Sequence, residues 1–219
     1  MNRILKAMKL DFYAAKSALP LSLVGYAFGL FLGIVTKEPM ATLVIVMLLN
    51  IFVGGNVFSV HEKSRSEKLY GILPLRKNEM VAGRYVYGLI LGLVNIVGAC
   101  ILAYLVMLFM KVSYTSVLFW LFAAISFIYY CFATGFLYPI YFKFSFSKGY
   151  LFAMIPMALL GVGVMYFARR SGFMTGVNSV MQFFSDHVYL APVFGLLIGL
   201  ALLVISAFIS RALCIRKEL

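Results

Sequence analysis

The residue types that carry out chemistry in proteins are few in this sequence and lie far apart. Several apolar stretches separate the two histidines, His61 and His187. The three cysteines, Cys100, Cys131 and Cys214, have no paired spacing that would predict a disulfide or a metal site. The sequence contains no G-x-x-x-x-G-K-[ST] phosphate-binding loop, no H-E-x-x-H and no G-x-S-x-G. We therefore predict no catalytic residue, no metal ligand and no cofactor bound by this chain.

The composition indicates that lipid is the solvent of this chain. Hydrophobic residues make up 64% of its 219 residues and charged residues 12%, whereas soluble domains have about 45–50% and about 25%. A soluble fold could not cover so much apolar surface. Six apolar stretches are long enough to cross a bilayer as helices, namely 19–35, 40–60, 85–110, 117–141, 150–168 and 188–210. They predict an all-α membrane protein in which 1–219 form a single transmembrane domain.

The distribution of basic residues predicts the direction of these spans. A formal net charge of +12 can indicate nucleic-acid binding, but in a membrane chain it more commonly marks the cytoplasmic surface. One side of the predicted bundle carries Arg3, Lys6, Lys9, Lys16, Lys63, Arg65, Lys68, Arg76, Lys77, Arg84, Lys143, Lys148, Arg211, Arg216 and Lys217. The other side carries Lys37, Lys111, Arg169 and Arg170. The positive-inside rule then places both termini in the cytoplasm, and we expect no nucleic-acid partner.

The charged connection 61–77 combines mixed charge with a small apolar face. Glu67 follows Lys63 by four positions, a spacing that pairs opposite charges on one helix face, and Glu62 precedes them. Leu69, Ile72 and Leu73 form the small apolar face, Pro74 ends the segment and Arg76 follows it. A new helix is expected to start near Asn78 and to run into the third span. A short helix of this kind suits a groove in a cytoplasmic partner, and the alternative is a solvated loop.

Two further segments have helical periodicity outside the predicted spans. The N-terminal stretch 1–17 places Ile4, Leu5, Met8, Phe12 and Ala15 on one face and Lys6, Lys9, Tyr13 and Lys16 on the other. It predicts an amphipathic helix in the membrane interface, either a basic anchor or a docking element. The loop 169–187 repeats Phe173, Val177, Met181 and Phe184. It predicts a helix that lies in or re-enters the outer leaflet, or a lid-like loop packed on the bundle.

Small residues recur at intervals of four in the first span, at Gly25, Gly29 and Gly33. Faces of this type let two membrane helices approach closely. The pattern predicts helix packing within one subunit or a dimer interface between subunits. Asn50 and Asn95 are polar groups within apolar stretches, and we expect them to bond across helices.

One stretch of the sequence, together with Glu62 and the order of the spans, resembles the ABC-2 type transporter permeases. This stretch is Leu73-Pro74-Leu75-Arg76-Lys77-Asn78-Glu79-Met80-Val81-Ala82-Gly83-Arg84-Tyr85. The similarity is greatest to the branch that includes the phenol-soluble-modulin exporter permeases. Positions that match are Glu62, Leu73, Pro74, Glu79, Arg84 and Tyr85. The chain departs from the branch at Leu75-Arg76, where the family often has serine before the arginine.

The resemblance implies an ABC-2 exporter-like half-transporter in a bacterial cytoplasmic membrane. It implies cytoplasmic ABC ATPase subunits as partners, which would bind ATP and Mg²⁺, and a second permease that is identical or paralogous. The segment 61–77 would then be the coupling helix, and the loop 169–187 would resemble a re-entrant region. The cargo would be an amphipathic or cationic peptide, or a lipid-like molecule.

Two other functions fit the sequence less well. A scaffold or regulatory subunit that transports nothing would use the basic face to recruit partners or anionic lipid. An intramembrane enzyme would need a cluster of reactive side chains at one depth, and the spans contain none.

Overall fold

The structure, a computed structural model, describes residues 3–16, 19–63, 77–112, 114–144, 146–153, 155, 158–159, 182–185 and 187–216. Its helices are α1 (Arg3–Ala15), α2 (Leu19–Thr36), α3 (Pro39–Lys63), α4 (Lys77–Met110), α5 (Ser116–Lys143), α6 (Phe146–Gly149) and α7 (Leu190–Arg216). A 3-10 turn, Tyr150–Ala153, follows α6. No strand occurs in the described ranges, as the apolar runs predict.

Four helices are long and apolar enough to cross a membrane, and their apolar cores are Pro39–Val60, Asn78–Met110, Ser116–Lys143 and Leu190–Cys214. They coincide with four of the predicted spans. The first predicted span coincides with a shorter apolar helix, Pro20–Thr36. The fifth, 150–168, begins at the 3-10 turn and otherwise falls almost entirely outside the described residues.

The third predicted span, 85–110, lies within α4, which begins at Lys77. The sequence predicts a helix that starts near Asn78 and runs into this span, and the structure confirms that start to within one residue. Arg84 therefore lies within the helix and is buried there. A charged residue can occupy this position because it is paired inside the protein.

The helices pack around α5, which contacts α7, α3 and α4. Large buried side chains from all four helices form the main core, with Met47, Phe58, Tyr85, Phe127, Tyr130, Tyr138 and Leu203 among them. The outward faces of α2, α4 and α7 carry exposed Leu, Ile, Val and Phe side chains. Apolar residues on both the inside and the outside are typical of helices that are surrounded by lipid.

The glycine face of α2 lies against α3. A Cβ atom at Gly29 would lie 2.6 Å from Cγ2 of Val46, and one at Gly33 would lie 2.0 Å from Oγ1 of Thr42. Gly25 is in ordinary contact with the side chain of Leu49. Packing within one chain thus accounts for these glycines, which is one of the two interpretations of the pattern.

Tyrosine side chains pack against the glycines of α4. The fully buried Tyr130 of α5 donates its hydroxyl hydrogen to the carbonyl oxygen of Gly88 at 2.9 Å. A Cβ atom at Gly92 would lie 2.4 Å from Cε1 of the same ring. Tyr26 of α2 similarly donates to Oδ1 of Asn95 at 2.7 Å, so this asparagine bonds across helices as predicted. Asn50 instead donates to the carbonyl oxygen of Val46 in its own helix.

At one end of the bundle, which we call the Glu38 end, one turn connects α2 to α3 and another connects α4 to α5. Each turn has a lysine in the left-handed region, Lys37 with φ 58° and Lys111 with φ 53°. The exposed Tyr114 hydroxyl of the second turn donates to Oε2 of Glu38 in the first. This hydrogen bond, with a smaller contribution from desolvation, raises the pKa of Tyr114 above its ordinary value. The two turns are therefore joined to each other while the tyrosine is neutral.

Candidate functional site at the Arg84 end of the bundle

At the opposite end of the bundle, α1 packs on the start of α4 and on α3. The approach to α4 is close at Gly83, where a Cβ atom would lie 2.8 Å from Cβ of Ala7 and 3.2 Å from the backbone nitrogen of Met8. Since a backbone atom cannot move aside as a flexible side chain can, glycine is needed at this position.

Among the described side chains of α1, Ala7, Asp11 and Ala15 are buried against the bundle, and Met8 is partly buried beside them. Asp11 is only 1% exposed, whereas Phe12 is 51% and Tyr13 is 72% exposed. The apolar face predicted for the membrane interface included both Phe12, which is exposed, and Ala15, which is buried. The packed face lies here because the small alanines permit a close approach and because Asp11 meets a cation in the bundle.

That cation is Arg84, which is 6% exposed. Its Nε atom lies 3.9 Å from Oδ1 of Asp11. The guanidinium carbon lies 4.4 Å from the ring centroid of Phe58 in α3 and 5.2 Å from that of Phe142 in α5. We call these four residues, Asp11, Phe58, Arg84 and Phe142, the Arg84 node. It brings one side chain from each of α1, α3, α4 and α5 into one buried cluster.

The energetics of the node depend on the ring contacts as well as on the ion pair. A buried charge is costly unless it is paired, and a desolvated cation over an aromatic ring gains about 2 kcal/mol. Phe58 is in turn held by the rings of Tyr138, Tyr141 and Phe142, with centroids 5.1–5.2 Å away. Arg84 is thus fixed in position by aromatic side chains from two neighbouring helices.

A chain of hydroxyl groups begins at the next residue, Tyr85. Its hydroxyl oxygen lies 2.6 Å from Oγ of Ser206 and 2.7 Å from Oγ of Ser210, both in α7. Ser206 donates to the carbonyl oxygen of Gly135 in α5 at 2.5 Å. Because Ser206 gives its hydrogen to that carbonyl, Tyr85 donates to Ser206 and accepts from Ser210. The chain ties α4 to α5 and α7 beside the node.

Replacing Tyr85 with phenylalanine should lower the free energy of unfolding by about 1–3 kcal/mol, because the buried serine hydroxyls would lose their partner. Thermal unfolding in detergent measures the change. The matched control is Tyr104→Phe on the same helix, where the side chain is exposed, and it should leave the midpoint unchanged. Equal midpoints for Tyr85→Phe and the wild type would contradict the proposed contribution of the hydroxyl chain.

The node borders both ends of the segment 64–76. Phe58 lies in the last turns of α3, and Arg84 lies in the second turn of α4. Of the residues proposed for coupling, Glu62 lies in α3 with an exposed side chain. The others, Glu67, Leu69, Ile72, Leu73, Pro74 and Arg76, lie outside the described residues.

The loop 169–187 is described only near its end. Phe173, Val177 and Met181 lie outside the described residues, whereas Phe184 is half-buried in a helical turn at 182–185. Its ring centroid lies 6.3 Å from that of Phe194 in α7, edge to face. This part of the loop therefore packs on the bundle.

Sequence reasoning missed the pairing of Asp11 with Arg84. A signal existed, since Asp11 is the only acidic residue before Glu38 and stands among lysines. An isolated acid in a basic helix next to a membrane span indicates a buried cationic partner. The partner could not be identified without the fold, because Arg84 lies far along the chain.

Within the part of the chain that the structure describes, no group of three or more His, Cys, Asp or Glu side chains could hold a metal ion. The node holds a cation, a carboxylate and two rings, and it joins four helices at the borders of a charged segment. The node therefore ties α1, α3, α4 and α5 together at one end of the bundle.

Comparison with known proteins gives one match. The model of a family described as "ABC-2 family transporter protein" matches residues 6–213, which is nearly the whole chain. No curated protein and no solved structure matches the sequence.

Proposed function

Because the chain belongs to the ABC-2 family of transporter proteins, we propose that it is the permease subunit of an ATP-driven exporter that moves amphipathic or cationic peptides out of a bacterial cell. The observation that carries the transport function is the family match over residues 6–213. The family implies a multi-pass membrane protein that associates with an ABC ATPase.

The proposed topology has six spans, with both termini in the cytoplasm of a bacterial plasma membrane. Its support is the run of apolar stretches and the excess of Lys and Arg on the side of both termini. In this orientation the Arg84 end faces the cytoplasm and the Glu38 end faces outward. The segment 150–168 would supply the fifth span.

The proposed partners follow from what the chain lacks. Its sequence has no phosphate-binding loop, so ATP and Mg²⁺ would bind to the cytoplasmic ATPase subunits. A second permease, identical or paralogous, would complete the transport route. The segment 61–77 would act as the coupling helix, supported by its mixed charge and by the location of the Arg84 node at its borders.

The peptide cargo is the part of the proposal that rests on resemblance to the phenol-soluble-modulin exporter branch. The 12 Met and 21 Phe residues of the chain are compatible with it, because adaptable thioether and aromatic surfaces accept varied apolar side chains. A lipid-like cargo would use the same surfaces. A dye-labelled cationic amphipathic peptide is therefore a suitable first probe.

The deciding experiment is a pull-down of the detergent-solubilised protein from its native membrane, followed by mass spectrometry. We expect a stoichiometric cytoplasmic protein that has a phosphate-binding loop. A second permease of different sequence would identify the pair as mixed. Recovery of the protein alone, or with only a sensor or lipid enzyme, would contradict the exporter function and favour the scaffold function.

Reconstitution then tests the cargo class. Vesicles that contain the recovered complex should accumulate or release the labelled peptide only when ATP is present on the ATPase side. A control peptide of equal length and charge without an apolar face should not move. Transport of neither peptide, together with ATP-dependent movement of a labelled lipid, would exclude peptide as the cargo.

A further inference from the structure

The ion pair between Asp11 and Arg84 joins α1 to an otherwise apolar part of the bundle. Two apolar side chains of similar volume generally stabilise a buried contact as well as an ion pair does, because they require no desolvation of charge. The surroundings of the pair are apolar and aromatic, with Phe58 and Phe142 against the guanidinium. A charged pair at this place therefore suits a contact that can separate as well as form.

The geometry of the pair allows it to open. The 3.9 Å between Nε and Oδ1 exceeds the length of an N–H···O hydrogen bond. Among the described residues, Nε of Arg84 has no hydrogen-bond acceptor. When Asp11 moves away, Arg84 keeps its two ring contacts, which continue to stabilise the cation. Separation therefore does not leave Arg84 without support.

The helix that carries Asp11, α1, can also bind to a second surface, that of the membrane. On its packed face, the described side chains beside Asp11 are the small Ala7 and Ala15, with Met8 partly buried against Ala15, Val57 and Tyr87. Its other face exposes Lys9, Phe12, Tyr13 and Lys16. Lysines mixed with aromatic side chains bind to a membrane surface that contains anionic lipid.

We propose that Asp11 and Arg84 form a reversible latch. In the closed state, α1 is docked on α4, and Arg84 joins it to α3 and α5. In the open state, the pair is separated and α1 lies on the membrane surface through its lysine and aromatic face. The event that opens the latch, ATP binding by the partner subunits, rests on the proposed function, whereas the latch itself rests on the geometry.

The test uses hydrogen exchange of the α1 amides in the full-length protein in lipid nanodiscs. Asp11→Asn keeps the shape and removes the charge, and it should raise exchange in α1 by about tenfold, a typical size for coupling between two sites. Exchange in α5 and α7 should not change. The control, Lys37→Gln, removes an exposed charge at the Glu38 end of the bundle and should have no effect. Equal exchange in Asp11→Asn and the wild type would overturn the latch.

The double variant Asp11→Leu with Arg84→Met distinguishes a latch from a static contact. It should keep α1 docked through apolar packing, with exchange at or below the wild-type rate. In the complex with the ATPase, ATP with vanadate should raise α1 exchange in the wild type and should fail to do so in the double variant. A double variant that responds like the wild type would show that the pair is static.

The two proposals fail in different ways. If no ATPase accompanies the protein, the exporter function falls, but the nucleotide-free comparison of Asp11→Asn with the wild type still decides on the latch. If ATP drives transport while α1 exchange stays constant in the wild type, the latch falls and the exporter function stands.

Discussion

Replacing Gly92 with alanine should lower the stability of the bundle by about 3 kcal/mol, the upper part of the range for overpacked cores. The new methyl group would lie 2.4 Å from Cε1 and 2.9 Å from Cδ1 of Tyr130. The ring cannot turn away easily, since it is fully buried and its hydroxyl is bonded to the carbonyl of Gly88. Thermal unfolding in detergent and the yield of folded protein measure the effect.

The matched control is Gly135→Ala in α5. The nearest atom to a Cβ there is 3.4 Å away, an ordinary contact, and alanine favours the helix by about 1 kcal/mol relative to glycine. This variant should be as stable as the wild type or more so. On a Tyr130→Leu background, Gly92→Ala should cost much less, because the two sites interact directly. An unchanged cost on that background would contradict the steric explanation.

The second large effect is expected in the segment 61–77. Replacing Glu67 with arginine, or Glu62 with alanine, should reduce ATP-driven transport of the labelled peptide to the level seen without ATP. Both changes alter the charge pattern of the proposed coupling helix, and Glu62 has an exposed side chain at the end of α3. Insertion into the membrane should be normal, because neither residue lies within an apolar stretch.

Two measurements on the reconstituted complex separate coupling from folding. The ATPase rate should lose its dependence on the permease in both variants, and size-exclusion profiles should match the wild type. Lys37→Gln is the control, because it removes an exposed charge at the opposite end of the bundle. Normal transport and normal stimulation of the ATPase in both variants would remove 61–77 as the coupling element.

The sequence predicted the elements of this fold well because lipid imposes simple requirements. The length of the apolar stretches predicted the four long helices. The four-residue spacing of small residues indicated the glycines of α2 that contact α3. The burial of Arg84 within α4 was not predicted, because a charged residue can enter a helix core when a second helix supplies its partner. Such a partner is a property of the tertiary fold, and hydropathy does not record it.

The candidate site was predictable only in its location along the chain. Mixed charge marked the segment 61–77, but the node that borders it depends on Asp11, Phe58 and Phe142, which come from three other helices. Helical periodicity predicted an apolar face with Phe12 for the membrane interface, but it did not predict that Ala7, Asp11 and Ala15 would face the bundle. The fold buries them there, since alanines allow the closer approach and Arg84 compensates the carboxylate.

The hydrogen bond between Tyr114 and Glu38 gives the Glu38 end of the bundle a contact that water can reach. Exposed polar contacts contribute little, about 0–1 kcal/mol. At the other end, α3, α4 and α5 are joined by buried rings and a cation. The polar contact at the Glu38 end therefore exchanges with water more easily, while the buried apolar side chains of α3, α4 and α5 near it keep those helices packed. In the proposed orientation the exchangeable contact faces outward and the buried one faces the cytoplasm.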